Sequence, residues 1–89
     1  MKCEAVHCQD RRTVRFAVYP DGFEGPRILA EVTEEFLWAM SGRHMDSDAL
    51  VRVCEQNFES LERLVIRRFR LDPRQRMLVG VKDLASGPA

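Results

Sequence analysis

The segment from Asp48 to Leu71 constrains the fold most, because its apolar residues recur at the spacing of a helix. At 3.6 residues per turn they fall within an arc of about 160°. They are Leu50, Val51, Val53, Cys54, Phe58, Leu61, Leu64, Val65, Phe69 and Leu71. The pattern predicts a single long helix whose apolar stripe supplies much of the core of this 89-residue chain.

The length of this predicted helix raises a geometric problem. Its 24 residues would span roughly 36 Å, whereas a typical strand covers about 17–20 Å. The helix therefore overhangs its sheet, kinks, or is covered in part by a second copy. Arg68 and Asn57 both lie inside the apolar arc. Arg68 predicts that the intramolecular core ends near Val65, which would leave Phe69 and Leu71 partly exposed or packed on a partner.

The residues before the helix alternate in the manner of two half-buried strands. Val14, Phe16 and Val18 share one face, and Ile28, Ala30 and Val32 repeat the pattern. Between them, Pro20-Asp21-Gly22 is typical of a turn, and Gly25-Pro26 breaks or bulges the returning strand. The two segments are therefore predicted to form a β-hairpin.

Capping residues predict where the helices begin and end. Thr33 is a predicted N-cap for a short helix over Glu34–Met40, which Ser41-Gly42 ends. Asp46 or Ser47 caps the long helix. Asp72-Pro73 stops that helix, because the residue before proline disfavours the α region. Residues 77–81 then form a short apolar strand. The predicted fold is α+β in the order β-β-α-α-β, with a small three-stranded, mostly antiparallel sheet covered on one face by the short and the long helix.

One domain accounts for the chain. Residues 1–12 show no clear period and are interpreted as a loosely ordered N-terminal arm that has room for a short strand. Residues 13–84 form the single compact domain, and residues 85–89 a frayed tail.

The composition of the chain indicates in which cellular compartment the protein is expected. There is no apolar run long enough for a transmembrane helix, and Glu4, His7 and Asp10 stand where a signal peptide needs an apolar stretch. Three cysteines, an odd number, argue against a secreted disulfide framework. We therefore expect a cytoplasmic protein with no membrane partner.

Charge is divided along the chain although the formal net charge is zero. Residues 63–82 carry seven bases and one acid (7 − 1 = +6), and residues 19–62 carry three bases and ten acids (3 − 10 = −7). The residues that could contact a partner or phosphate near the end of the long helix are Arg63, Arg67, Arg70, Arg74, Arg76 and Phe69. The alternative interpretation is a solvated helix end that complements the helix dipole.

Candidate chemical motifs are weak. Cys3, His7 and Cys8 lie close together, with His44 and Cys54 elsewhere, but they lack the paired spacing of a zinc site. His7-Cys8-x-Asp10 contains the residue types of nucleophilic catalysis without a visible pre-organised site. We therefore expect no metal, no cofactor and no enzymatic activity.

The functional expectation is a protein-interaction or self-associating module, with a homodimer as one form. It depends on the overhanging helix and the divided charge. The alternative is a nucleic-acid-binding or regulatory module that uses the arginine cluster, which the zero net charge disfavours.

Several short patterns are similar to one known family. They are Val14-x-Phe16, Asp21-Gly22, Val32-Thr33-x-x-Phe36-Leu37, Asn57-x-x-x-Leu61-Glu62 and Asp83-Leu84. Over Thr13 to Leu84 the chain resembles the short bacterial family catalogued as domain of unknown function 1488. The resemblance implies a compact α+β domain of bacterial cytoplasmic origin, and it transfers no functional residues. Gly25-Pro26 and the N-terminal arm depart from the family pattern.

Overall fold

A four-stranded mixed sheet forms one layer of the structure. The computed structural model describes residues 4–42 and 46–85. The strands are β1 (Val6–Cys8), β2 (Thr13–Val18), β3 (Ile28–Thr33) and β4 (Leu78–Val79), in the spatial order β1-β2-β3-β4. The β1–β2 and β2–β3 pairs are antiparallel, and β3–β4 is parallel.

Within the described residues, three α-helices lie between β3 and β4 in the sequence, and a single helical turn follows β4. They are α1 (Glu34–Ser41), α2 (Ser47–Gln56), α3 (Phe58–Leu71) and the single turn α4 (Lys82–Ala85). The α+β class and the β2–β3 hairpin are confirmed. The count of three strands is wrong, because Val6–Cys8, within the segment interpreted as an arm, pairs with β2. Three residues are too few to show a strand period, so the sequence pattern could not identify β1.

The strand-to-helix junction at Thr33 depends on one side chain. Thr33 is the last residue of β3 and the N-cap of α1, and its Oγ1 accepts a hydrogen bond from the N–H of Phe36 at 3.1 Å. Gly42 ends α1 with φ at 82°, a left-handed conformation that glycine adopts without steric cost. Asp46 caps α2, accepting from the N–H of Ala49 at 2.9 Å. All three signals were readable in the sequence.

The predicted single long helix is wrong, because it is interrupted at Asn57. This residue has φ −109° and ψ 15°, away from helical values, and it is both the C-cap of α2 and the N-cap of α3. Its Nδ2 donates to the carbonyl oxygen of Val53 at 2.9 Å. A side chain that enters the backbone hydrogen-bond ladder is a recognised cause of helix kinks. Of the three geometric solutions that the sequence left open, the structure adopts the kink.

The kink lets one apolar stripe cover a small sheet. The helix α2 packs on β1 and β2, and α3 packs on β2. Phe58, the first residue of α3, meets Phe16 of β2 edge-to-face with ring centroids 6.2 Å apart. The buried core comprises Val14, Phe16, Val18, Ala30, Val32, Phe36, Leu37, Leu50, Cys54, Leu61, Val65, Met77 and Val79.

Arg68 belongs to the interior layer and holds β4 in place. Its Nη1 donates to the carbonyl oxygen of Leu78 at 2.7 Å, and its Nη2 forms an ion pair with the largely buried carboxylate of Asp83. The other oxygen of Asp83 accepts from the N–H of Gly80 at 2.8 Å. Val65 is the last buried residue of α3, as expected, and Phe69 is partly buried where it packs against the core. Leu71 is exposed, as expected.

The apolar stripe predicts a sharp difference between two leucines of α3. Leu61 is 2% exposed and Leu71 is 78% exposed. We expect Leu61→Ala to lower the free energy of unfolding by about 2–5 kcal/mol and Leu71→Ala to change it by less than about 0.5 kcal/mol. Urea unfolding followed by circular dichroism measures both. Equal effects would show that the stripe does not face the sheet.

Removal of the Arg68 side chain leaves the Asp83 carboxylate without its cation. We expect Arg68→Leu to destabilise the fold by about 3–5 kcal/mol, because an unpaired charge is then buried. Arg67→Leu, at the exposed neighbouring position, is the matched control and should shift the unfolding midpoint little. A neutral Arg68→Leu would mean that Asp83 finds water or another donor.

Candidate functional site

The arginines of α3 form one exposed row. Arg63, Arg67 and Arg70 lie three or four residues apart and so share a helix face. Arg63 Nη2 lies 3.1 Å from Glu59 Oε1, and Arg70 Nη2 lies 3.9 Å from Asp21 Oδ1. These contacts are solvent-exposed ion pairs, which are weak. The row is therefore available for other contacts.

The rest of the predicted arginine cluster lies elsewhere. Arg76 reaches β3, where its Nη2 is 3.8 Å from Glu31 Oε1. Arg74 is exposed in the turn after α3, and its N–H donates to Asp72 Oδ1 at 3.1 Å. Phe69 is partly buried against the core, which removes much of its ring from the surface. The structure thus divides the six predicted residues between the α3 row, the turn, the core and the sheet.

The sheet surface opposite the helices, here called the outer face, carries a second group of charges. Strand register fixes its members, since directly paired residues point to the same side. Val6 of β1 pairs with Arg15 of β2. On its other side Arg15 pairs with Glu31 of β3, and Glu31 in turn pairs with Leu78 of β4. Leu29, two residues before Glu31, lies on the same side.

Apolar side chains on the outer face are open to solvent. Val6 is 60% exposed and Leu29 is 52% exposed. By contrast, the side chains of β2 and β3 that point to the helices, such as Phe16 and Val32, are fully buried. The outer face is thus only partly covered: Val6 and Leu29 are open to solvent, whereas Ala17 on the same side is buried.

Glu31 is the electrostatic centre of the outer face. Its side chain is largely buried, its Oε2 lies 2.8 Å from Arg11 Nε, and Arg76 approaches from the β4 side. Together with Arg15, these residues place three guanidinium groups around one carboxylate, so the local formal charge is 3 − 1 = +2. A shallow cavity of about 280 Å³ opens between these groups, and its lining is Arg11, Arg15, Leu29, Glu31, Arg76 and Met77. Arg11 and Arg15 were not among the predicted site residues, although strand alternation already placed Arg15 away from the core.

A separate network closes one end of the outer face. Glu4 accepts a hydrogen bond from the Tyr19 hydroxyl at 2.6 Å and lies 3.1 Å from Arg27 Nη2. The hydrogen bond from Tyr19, followed by the charge of Arg27, lowers the pKa of Glu4. The same bond raises the pKa of Tyr19. Arg27 is thereby engaged with Glu4 and adds little to the free positive charge.

His7 lies on the opposite side of β1, among the helices. Its Nδ1 is 2.9 Å from Ser47 Oγ, and its Nε2 is 2.6 Å from Glu34 Oε2. Adjacent strand residues point to opposite faces, so Cys8 lies on the outer side and forms no dyad with His7. The partners of His7 are 27 and 40 positions away in the sequence. The sequence assigned Glu34 to a helix first turn and Ser47 to a cap, and no local pattern linked them to His7.

A second cavity, of about 460 Å³, lies beside this cluster. Its lining is Arg11, Arg12, Thr33, Glu34, Glu35 and Trp38. Arg12 adopts a left-handed conformation with φ at 54°, which is uncommon for a residue with a Cβ atom. Its carbonyl oxygen accepts from the N–H of Glu34 at 3.0 Å. The turn and α1 are therefore joined at this cavity.

Residues 4–42 and 46–85 contain no group of three or more His, Cys, Asp or Glu side chains placed to hold a metal ion. Cys3 and His44, considered above as ligands, lie outside the described residues, as do tail residues 86–89. Among the helices of the described segments, none has the length and apolar character that crossing a membrane requires.

Comparison with known proteins gives no match to a protein-family model, a curated protein or a solved structure. The resemblance to the family catalogued as domain of unknown function 1488 stays a prediction.

The network at Glu4 predicts a measurable titration shift. We expect Tyr19→Phe to raise the pKa of Glu4 towards the ordinary glutamate value, because the main cause of its lowering is removed. A lowered folded-state pKa stabilises the fold above the unfolded-state pKa, and this contribution is lost as the pH falls through the folded-state pKa. Nuclear magnetic resonance titration of the Glu4 carboxyl carbon in both proteins measures the shift. An identical pKa in the variant would exclude the hydrogen bond as its cause.

Proposed function

We propose that this protein is a small binding module whose outer face docks an acidic protein segment that also carries an apolar side chain. The observation that supports it is the arrangement of three guanidinium groups and an exposed leucine around the one carboxylate of Glu31. This proposal specifies the surface and partner chemistry of the interaction module expected from the sequence.

Charge on the outer face selects an acidic partner. Arg11 is paired with Glu31, whereas Arg15 has no ion pair within the described residues, and Arg76 approaches Glu31 only at 3.8 Å. Guanidinium forks bind carboxylates through two parallel hydrogen bonds. Arg15 and Arg76 are therefore free to hold a carboxylate that enters the shallow cavity between them.

Exposed apolar area on the same surface selects an apolar group in the partner. Leu29 lines the cavity, and Val6 lies on the same face beyond Arg15. Burial of such side chains contributes about 25 cal/mol for each Å² removed from water. A segment that alternates an acid with an apolar residue matches both features, because an extended chain places alternate side chains on one side.

The composition of this face favours a protein over nucleic acid. The acids Glu4 and Glu31 lie on or beside it and repel phosphate, and the chain has no net positive charge. The neighbouring Tyr19 donates its hydroxyl hydrogen to the carboxylate of Glu4. The exposed α3 row is the competing surface for phosphate, and the test below distinguishes the two.

Two charge-matched double variants test the proposal. Arg15→Glu with Arg76→Glu alters the outer face, and Arg63→Glu with Arg67→Glu alters the α3 row by the same net charge. The probe is a fluorescent peptide of alternating glutamate and leucine, measured by anisotropy. We expect the outer-face variant to weaken binding by about 100-fold, since each charge-assisted hydrogen bond contributes roughly 1.5–3 kcal/mol. The α3 variant should bind within about threefold of the unaltered protein, since remote charges are screened by salt.

Three outcomes contradict the proposal. Equal weakening by both variants would show that only net charge matters. Tighter binding of an oligothymidine strand than of the peptide, lost in the α3 variant, would favour the nucleic-acid alternative. A dimer in sedimentation that dissociates in the outer-face variant would make a second copy the occupant of this face.

A further inference from the structure

The structure places a serine, a histidine and a glutamate in one hydrogen-bonded chain. Ser47 Oγ lies 2.9 Å from His7 Nδ1, and His7 Nε2 lies 2.6 Å from Glu34 Oε2. The three residues come from α2, β1 and α1, so the tertiary fold brings them together. The His7 side chain is 12% exposed, whereas Ser47 lies at the surface.

The two contacts of His7 are compatible with one tautomer of the neutral ring. In that tautomer Nε2–H donates to the Glu34 carboxylate, which accepts, and the unprotonated Nδ1 accepts the hydroxyl hydrogen of Ser47. A nucleophile beside a base that is oriented by a carboxylate is the arrangement that activates serine in hydrolases, here with the two ring nitrogens exchanged.

We propose that Ser47 is an activated nucleophile that accepts an acyl group from an aryl ester or thioester. Ser47 Oγ attacks the carbonyl carbon while its proton passes to His7 Nδ1, and Glu34 stabilises the resulting imidazolium. The bond between the carbonyl carbon and the leaving oxygen or sulfur then breaks, and His7 returns the proton to the leaving group. A water molecule, deprotonated in turn by His7 Nδ1, then attacks the acyl carbon. The bond between that carbon and Ser47 Oγ breaks, His7 returns the proton to Oγ, and the carboxylic acid leaves.

Surrounding groups indicate which acyl donors the site accepts. Ser47 is the first residue of α2, where the first backbone N–H groups have no acceptor within the helix. The carboxylate of Asp46 already accepts from Ala49. Asp46 and Asp48 flank Ser47 and repel negative charge. The site therefore suits neutral or cationic donors and disfavours anionic ones.

This inference is independent of the proposed binding function. His7 points to the helices, whereas Arg15 and Leu29 lie on the outer face, so variants at one site leave the side chains of the other unchanged. Loss of peptide binding and loss of serine reactivity are separate results.

A fluorophosphonate probe reports the reactivity of Ser47 directly. The labelling rate of the full chain is measured by intact mass, and the modified residue is located by peptide mass spectrometry. We expect one label on Ser47, none in Ser47→Ala, and labelling about 100-fold slower in His7→Gln, since a positioned general base contributes about 10²–10⁴ in rate. Ser60→Ala, which removes an exposed serine of α3, is the control and should label at the unaltered rate. Absence of labelling in the unaltered chain, or equal labelling in Ser47→Ala, would overturn the proposal.

A cysteine exchange separates activation from folding. In Ser47→Cys we expect the thiol to react with iodoacetamide at least tenfold faster than the thiol of Ser60→Cys, because His7 accepts its proton. Adding His7→Gln to Ser47→Cys should abolish the difference while circular dichroism shows a folded chain. Equal rates for the two thiols in the folded single variants would mean that His7 only joins β1 to the helices, and would overturn the proposal.

Discussion

The interruption at Asn57 determines how this small domain covers its sheet. The Asn57 side chain and its own N–H both donate to the carbonyl oxygen of Val53, and the helix is interrupted between α2 and α3. An uninterrupted helix over the same residues would span roughly 36 Å, which exceeds the about 17–20 Å of a typical strand. With the kink, α2 covers β1 and β2 while α3 covers β2, and one apolar stripe serves a compact core.

Both proposed sites depend on this two-layer arrangement. Because the helices pack on one side of the sheet, the outer face keeps Arg15, Leu29 and Val6 in solvent. Because α2 reaches β1, Ser47 at its first position meets His7. Arg68 and Asp83 then fix β4 beside β3, and Arg76 in the preceding turn reaches Glu31. The outer face and the contact of Ser47 with His7 and Glu34 are consequences of the same packing.

Local signals predicted most of the elements. Alternation identified the β2–β3 hairpin, and Thr33, Gly42 and Asp72-Pro73 marked helix ends that the structure reproduces. Long-range contacts could not be predicted in this way. The arginine in the apolar arc marked the end of the buried stripe at Val65, but its ion pair with Asp83 could not be predicted from local sequence. The helix break at Asn57 comes from one side-chain hydrogen bond, which hydrophobic periodicity does not encode.

Site residues were harder to predict than the fold because their proximity arises from strand pairing. Arg76 is far from Arg11 and Arg15 in sequence. The three side chains come together only at Glu31, whose carboxylate pairs with Arg11 and lies 3.8 Å from Arg76. The predicted row Arg63, Arg67 and Arg70 is contiguous on one helix, which made it visible. His7 was noticed for its neighbour Cys8, whereas the fold directs it to Ser47 and Glu34.

The most direct test of the outer face as the binding surface is chemical-shift mapping of the isotope-labelled protein during titration with an acidic, leucine-bearing peptide. We predict that backbone amide shifts concentrate at Arg15, Leu29, Glu31 and Leu78, while those at Arg63, Arg67 and Arg70 stay unchanged. Shifts confined to α3 would contradict the account and transfer the binding function to the helix row.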